Sequence, residues 1–225
     1  ETEFAAKVRG IFTEVRKPWP KAAFAVINDG SVTALLGASA LERRPVLGLA
    51  LGSSLAAGAV SSDGWIVEGI DELAFAPIDY REDAPVDEWS GDRGCAVQYL
   101  SQQAVARLLP AAGITLPAAI PTAEKLACVQ QLMSSENPAA ERLYRTMGGY
   151  FGYAVAHYAE FYPVDNVLAL GRVMTGTGGK VILDQAARVL GEVFPDISCR
   201  IETLSESGKR HGQAVAAASL APAAR

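Results

Sequence analysis

Apolar runs and polar turns alternate at short range through the first third of the chain. Residues Ala22–Ile27 form an apolar run that closes on Asn28-Asp29-Gly30, a pattern that predicts a buried strand delivering a carboxylate to the mouth of a helix. Ser31–Ala40, rich in Ala and Leu, is that helix. A second apolar run, Pro45–Leu51, reaches the small-residue loop Gly52-Ser53-Ser54, and Leu55–Val60 turns apolar again. Ser62-Asp63-Gly64 then offers a hairpin turn and Trp65-Ile66-Val67 a returning strand. Strand, carboxylate, helix, strand and small-residue loop in this order predict an α/β fold. Ahead of them, Glu1–Lys17 places Phe4, Val8, Ile11 and Phe12 on one side of an amphipathic helix that ends before Pro18 and Pro20.

Helical spacing dominates the remainder. Asp92–Leu109 carries Cys95, Tyr99, Leu100, Ala104 and Leu108 on one face and stops at Pro110, with Gly113 close behind. Thr122 caps a helix running through Leu126, Val129 and Leu132 to Ser134, and Asn137-Pro138 restarts the chain with an N-cap and a proline at the first helical position. Leu143, Met147, Tyr150, Phe151, Ala154, Tyr158 and Phe161 recur at three- and four-residue steps and predict a long buried helix. Gly148, Gly149 and Gly152 on that helix permit either a close approach of another backbone or a kink. Val167–Leu170 and Ser198–Leu204 read as strands, Lys180–Val193 and Arg210–Leu220 as helices.

Half of the 225 residues are apolar, enough for one domain, or one domain with a small appendage, to bury a substantial core. A net charge of −5 argues against a broad nucleic-acid surface. Three widely spaced cysteines, Cys95, Cys128 and Cys199, do not make a disulfide framework and fit a reducing cytoplasm. Pro, Gly or charged residues interrupt every apolar run before membrane-spanning length, and the N-terminus lacks a secretory apolar region. The expectation is a cytoplasmic protein without a membrane partner.

Asn28-Asp29-Gly30 carries two readings, ordinary turn or N-cap chemistry and a general base at a strand end. A hairpin with Gly52 and Ser53 at its lip would expose backbone N–H groups of the kind that bind phosphate. Thr175-Gly176-Thr177-Gly178-Gly179 is either an anion nest before a helix or a flexible turn. His157 and His211 have no Cys, Asp or His at ligand spacing, Arg43-Arg44 reads as a solvated pair, and the aromatic crowd from Tyr150 to Tyr162 fits a core or a dimer seam.

In chain order, Asn28-Asp29-Gly30, Leu51-Gly52-Ser53-Ser54, Asp71-Glu72-Leu73-Ala74-Phe75, the segment from Gly91 through Cys95 to Ser101, Tyr150-Phe151-Gly152, and Asn166 to Gly171 resemble the large C-terminal lobe of the ROK family. That family comprises sugar kinases and sugar-responsive repressors of the actin-like ATPase superfamily. The resemblance implies an α/β, ribonuclease H-like lobe with a mixed sheet flanked by helices. It divides the chain into residues 1–27, a helix and strand leading in from a small lobe, residues 28–208, the large lobe, and residues 209–225, a C-terminal helix and tail. It further implies Asp29 as the catalytic base, Asn28, Asp29 and Glu72 as sugar contacts, and Gly52, Ser53 and Gly171 as cofactor-binding positions. A hexose, ATP with Mg²⁺ and a second copy of the chain are the implied partners, with no direct nucleic-acid contact.

Departures from the family pattern limit these expectations. Phe75, Glu88, Ser90 and Cys95 fall where the family places a His and three Cys on zinc, and one thiolate cannot supply four ligands, so no zinc is expected. Ser54 stands where a glycine would let a phosphate approach, Arg172 follows Gly171 where a second glycine is usual, and nothing upstream of Asp29 resembles the Asp-x-Gly-Gly-Thr turn of the small lobe. Two function classes follow: an ATP-dependent sugar kinase when completed by a small lobe, or a catalytically inactive relative acting as a sugar-sensing or assembly module.

Overall fold

The computed structural model describes residues 2–69 and 71–220. In chain order the elements are α1 (Thr2–Lys7), α2 (Ile11–Arg16), α3 (Asp29–Ala40), β1 (Val46–Leu51), β2 (Leu55–Val60), α4 (Val97–Leu100), α5 (Gln102–Ala112), α6 (Thr122–Ser134), α7 (Pro138–Tyr158), β3 (Asn166–Leu170), α8 (Gly176–Val193), β4 (Arg200–Glu202) and α9 (Glu206–Ser219). The four strands form one mixed sheet in the order β2-β1-β3-β4. β2 is antiparallel to β1, while β1, β3 and β4 run parallel.

Side chains alternate across this sheet and so build two cores. Leu47, Leu49 and Leu51 of β1, with Val167 and Ala169 of β3, join the larger core under α4 to α8. Val46, Leu168 and Leu170 point the other way, to the smaller core containing Val32 and Leu36 of α3 and Ala216 of α9. The architecture is therefore a three-layer α/β/α sandwich. It is the expected fold class, a mixed sheet flanked by helices.

The long helix is well specified locally. Asn137 caps α7 by accepting from the Ala139 N–H at 2.9 Å, Pro138 follows at the first position, and Tyr144, Phe151 and Tyr158 are fully buried. Two of the three glycines on α7, Gly148 and Gly152, serve close approach. A Cβ on Gly148 would lie 2.7 Å from the Ile182 carbonyl oxygen, and one on Gly152 would lie 2.7 Å from the Val189 Cβ, so α8 rests directly on this face.

Several expected elements differ. Residues 22–27 are not a strand: the segment has no ladder partner, and Phe24 and Val26 are exposed. Apolar residues make a strand only where a sheet edge accepts their backbone. The single helix expected over residues 1–17 is two short helices joined across Gly10 with no buried residue, because its apolar side meets no other element; Glu1 lies outside the described residues. The returning strand at Trp65–Val67 is reduced to one bridge, Val60 with Ile66. Asp92–Ala96 is loop, and Ser101, in an extended conformation, divides α4 from α5, whose last turn contains Pro110. Phe161 falls beyond α7 and is exposed. Thr175 to Gly179 is not a flexible turn but the N-cap and first turn of α8, where Gly178 packs on the Tyr144 ring. Arg43 is not simply solvated, since it pairs with Glu202 of β4.

Candidate active site

Four segments converge at the ends of β1 and β2 and line a cleft of about 320 Å³. Asn28 and Asp29 enter from the start of α3, Gly52, Ser53 and Ser54 from the β1–β2 turn, Asp71 and Glu72 from the long connection after β2, and Gly171 from the end of β3. All six residues singled out from the sequence line it. Cleft volume and polar lining suit a small hydrophilic ligand.

Each wall has a local cause. Asn28 is the N-cap of α3 and accepts from the Gly30 N–H at 2.8 Å, and Asp29, the first helical residue, accepts from the same N–H at 3.0 Å. The N-cap reading of Asn-Asp-Gly holds, and the cap is what keeps Asp29, exposed, at the cleft. Helix α3 comes this near the sheet because three glycines remove the side chains between them. A Cβ on Gly48 would meet the Ala34 nitrogen at 2.3 Å, one on Gly58 the Ser31 nitrogen at 2.3 Å, and one on Gly30 the Ala57 carbonyl oxygen at 1.8 Å. Glycine inside a strand is the sequence signal for such an approach, and Gly48 and Gly58 carry it.

The hairpin lip is closed by the Gly52 N–H donating to the Ser54 carbonyl at 2.8 Å and fastened to α5 by the Gln102 N–H donating to the Gly52 carbonyl at 2.9 Å. A Cβ on Gly52 would meet only the Ser54 carbonyl oxygen, at 3.8 Å, so there is open space beside this residue, which lines the cleft. Gly171 has a different task. Its φ of +101° and the Leu51 carbonyl oxygen 2.3 Å from where its Cβ would be make it the glycine that lets β3 turn beside β1.

Asp71 was missed as a site residue by sequence reasoning. Its carboxylate accepts from the Tyr162 hydroxyl at 2.9 Å, and the Tyr158 hydroxyl donates to the Leu73 carbonyl at 3.3 Å. Two aromatic residues of the expected core thus tether the connection that carries Glu72. Burial and the Asp71 carboxylate push the Tyr162 hydroxyl up to about 12. Farther along the same connection, the Arg81 guanidinium holds the Asp79 carboxyl well below the usual carboxylate range; the Tyr99 hydroxyl donates to the same group.

Solved structures share this fold. The ROK hexokinase from Thermus thermophilus is 19% identical with a TM-score of 0.62, over 85% of this chain and 63% of that one. A ROK family glucokinase from Streptomyces griseus, in complex with glucose and AMPPNP, is 18% identical with a TM-score of 0.70, over 93% of this chain and 71% of that one. The chain has the ROK fold. A ROK family transcriptional regulator, a homologue of the E. coli MLC protein, also matches, at 18% identity and a TM-score of 0.69 over 93% of this chain and 55% of that one. The chain thus spans 63% of the length of the hexokinase and 55% of that of the regulator. No protein-family model and no curated protein matches it.

Within this ROK fold, the connection over residues 85–98 is organised by one buried carboxylate. Asp87 accepts from the Ser90 N–H at 2.8 Å, the Trp89 N–H at 3.0 Å and the Gln98 amide at 3.1 Å. The Ser90 bond, with those from Gln98 and Trp89, lowers its pKa against the opposing effect of burial. Ser90 Oγ lies 3.8 Å from Cys95 Sγ, and Cys95 is fully buried with its thiol pKa raised by that burial. Among the described residues no three His, Cys, Asp or Glu side chains stand together as a metal site. At the other side of the cleft Arg172 is exposed, and its carbonyl accepts from Gln130 at 2.8 Å.

Proposed function

We propose that this chain is the large lobe of a ROK-type sugar kinase, with residues 28–208 as the lobe, transferring a phosphoryl group from ATP to a hexose hydroxyl when a small lobe completes the nucleotide site. The observation that carries this reading is the convergence of Asn28, Asp29 and Glu72 with the Gly52–Ser53 lip on one cleft. Asp29, exposed at that cleft with its second carboxylate oxygen uncommitted to the cap, would accept the proton of the hydroxyl being phosphorylated. Glu72, exposed at the same cleft, would accept from neighbouring hydroxyls, and a sugar lacking the matching group forfeits that bond. ATP supplies the phosphoryl group. Ser53 offers its hydroxyl and the open side of Gly52 offers room at the lip for a phosphate, which fits that group, whereas Mg²⁺ would be carried by the phosphates, since side chains alone do not cage it.

A second reading is favoured by Ser54 at the lip and Arg172 beside Gly171: a relative that binds sugar without turnover. Turnover of a hexose panel with Mg²⁺-ATP, measured on the chain completed by a small lobe, separates the two. Asp29→Asn keeps the oxygen that accepts from the Gly30 N–H, so folding should persist while kcat falls by about 10²- to 10⁴-fold. Undiminished turnover by that variant refutes Asp29 as the base. Hexose-induced thermal stabilisation with no turnover by the parent selects the second reading.

A further inference from the structure

A second cleft of about 450 Å³ lies beside the first and shares Ser53, Ser54 and Glu72 with it. The rest of its wall includes Phe75, Asp87, Trp89 and Gln103. Trp89 is 93% exposed, yet its backbone is braced: its N–H donates to Asp87 at 3.0 Å, and the turn is closed by Gly91 N–H to the Asp87 carbonyl at 2.9 Å and Gly94 N–H to the Pro85 carbonyl at 3.0 Å. That turn fixes the backbone of Trp89, and its uncovered indole presents a flat, electron-rich face at the cleft. Trp19 and Trp65 are exposed as well, so exposure alone does not single out Trp89; its place on a cleft that adjoins the candidate sugar site does.

The polar groups beside it divide cleanly. Both Asp87 oxygens are engaged within the loop, which makes that residue a brace. Gln103 accepts from the Gln98 amide through its carbonyl at 2.7 Å, leaving its own amide N–H₂ as a donor for a ligand. A ring with apolar C–H faces and polar hydroxyl edges matches an indole face flanked by an amide donor and serines.

We propose that the second cleft is a subsite for a second sugar ring, joined to the one in the first cleft, stacked on Trp89 and hydrogen-bonded by Gln103. The ligand class is a disaccharide. This inference rests on the sugar reading of the first cleft.

Isothermal titration of the full chain with glucose, galactose, mannose and N-acetylglucosamine, and with maltose, cellobiose, lactose and chitobiose, tests it. At least one disaccharide should bind about three- to tenfold more tightly than its own monosaccharide. Trp89→Ala should erase that gain and leave the monosaccharide Kd unchanged, and Trp89→Phe should keep part of it; unfolding temperatures of both variants should match the parent, since the indole is exposed. Monosaccharide binding without any disaccharide gain, or an equal loss for both ligand sizes in Trp89→Ala, overturns the subsite and spares the first cleft. Absence of binding by all eight sugars overturns the sugar reading, and the subsite with it.

Discussion

Replacing Gly58 by alanine tests the seat that brings Asp29 to the cleft. The new Cβ would lie 2.3 Å from the Ser31 nitrogen and 2.4 Å from the Gly30 carbonyl carbon, where ordinary contact begins at 3.4 Å, so the start of α3 must retreat by about 1 Å. Both struck atoms are backbone and cannot rotate aside. Overpacking of this kind costs about 3 kcal/mol, at the upper end for a single methyl because the helix and not a side chain has to move. The same retreat carries Asn28 and Asp29 away from the hairpin lip, and a displacement of about 1 Å costs roughly 10²-fold in a reaction that depends on position. Urea unfolding gives the first quantity, with an unchanged slope expected, and hexose turnover or affinity gives the second. Gly149→Ala is the internal control: nothing lies within 4 Å of its Cβ, so the helix should gain about 0.5–1 kcal/mol. A Gly58→Ala protein within about 0.5 kcal/mol of the parent would show that α3 does not rest on the β2 backbone, and the account of how the cleft forms would fail.

Tyr162→Phe removes the hydroxyl that holds Asp71 at 2.9 Å; it should cost about 1 kcal/mol and weaken sugar binding through the loosened Glu72 segment, and calorimetry showing unchanged affinity would sever that link. Asp87 has a depressed carboxyl pKa in the folded chain, so its contribution is present above the unfolded value of about 4 and is lost as pH falls through the lower folded value. Asp87→Asn should therefore reduce stability near neutral pH and flatten the acid limb of a stability-against-pH curve, and identical curves for the two proteins would contradict the role of Asp87 as a brace. Burial raises the Tyr162 hydroxyl to about 12, so the parent should lose stability as pH rises from about 10 toward 12, and Tyr162→Phe should lose less over that interval in alkaline denaturation.

Much of the architecture was legible from local pattern because its causes are local. The apolar run along Val46–Leu51, the Asn28 and Asn137 caps and the spacing from Leu143 to Tyr158 act within a few residues and survive into the fold. The grouping of Asn28, Asp29, Gly52, Ser53, Glu72 and Gly171 was expected from collinear resemblance, and the cleft unites them. Where apolar pattern needed a partner to become structure, local reading failed. Residues 22–27 lack a sheet edge, the apolar side of α1 and α2 meets nothing, and Trp65–Val67 pairs at a single bridge.

Chain chemistry by itself determined which residues could cap, turn, alternate or carry a proton. Tertiary structure alone decided that Gly48 and Gly58 form a seat for α3, that Tyr162 holds Asp71, that Asp87 braces the turn under Trp89, and that Thr175 to Gly179 begins a helix. The reason is distance along the chain. A cap or a turn is stabilised by neighbours within a few positions, whereas a glycine opposite a helix backbone, or a hydroxyl reaching a carboxylate 91 residues away, acquires its partner only when the sheet has brought both sides together.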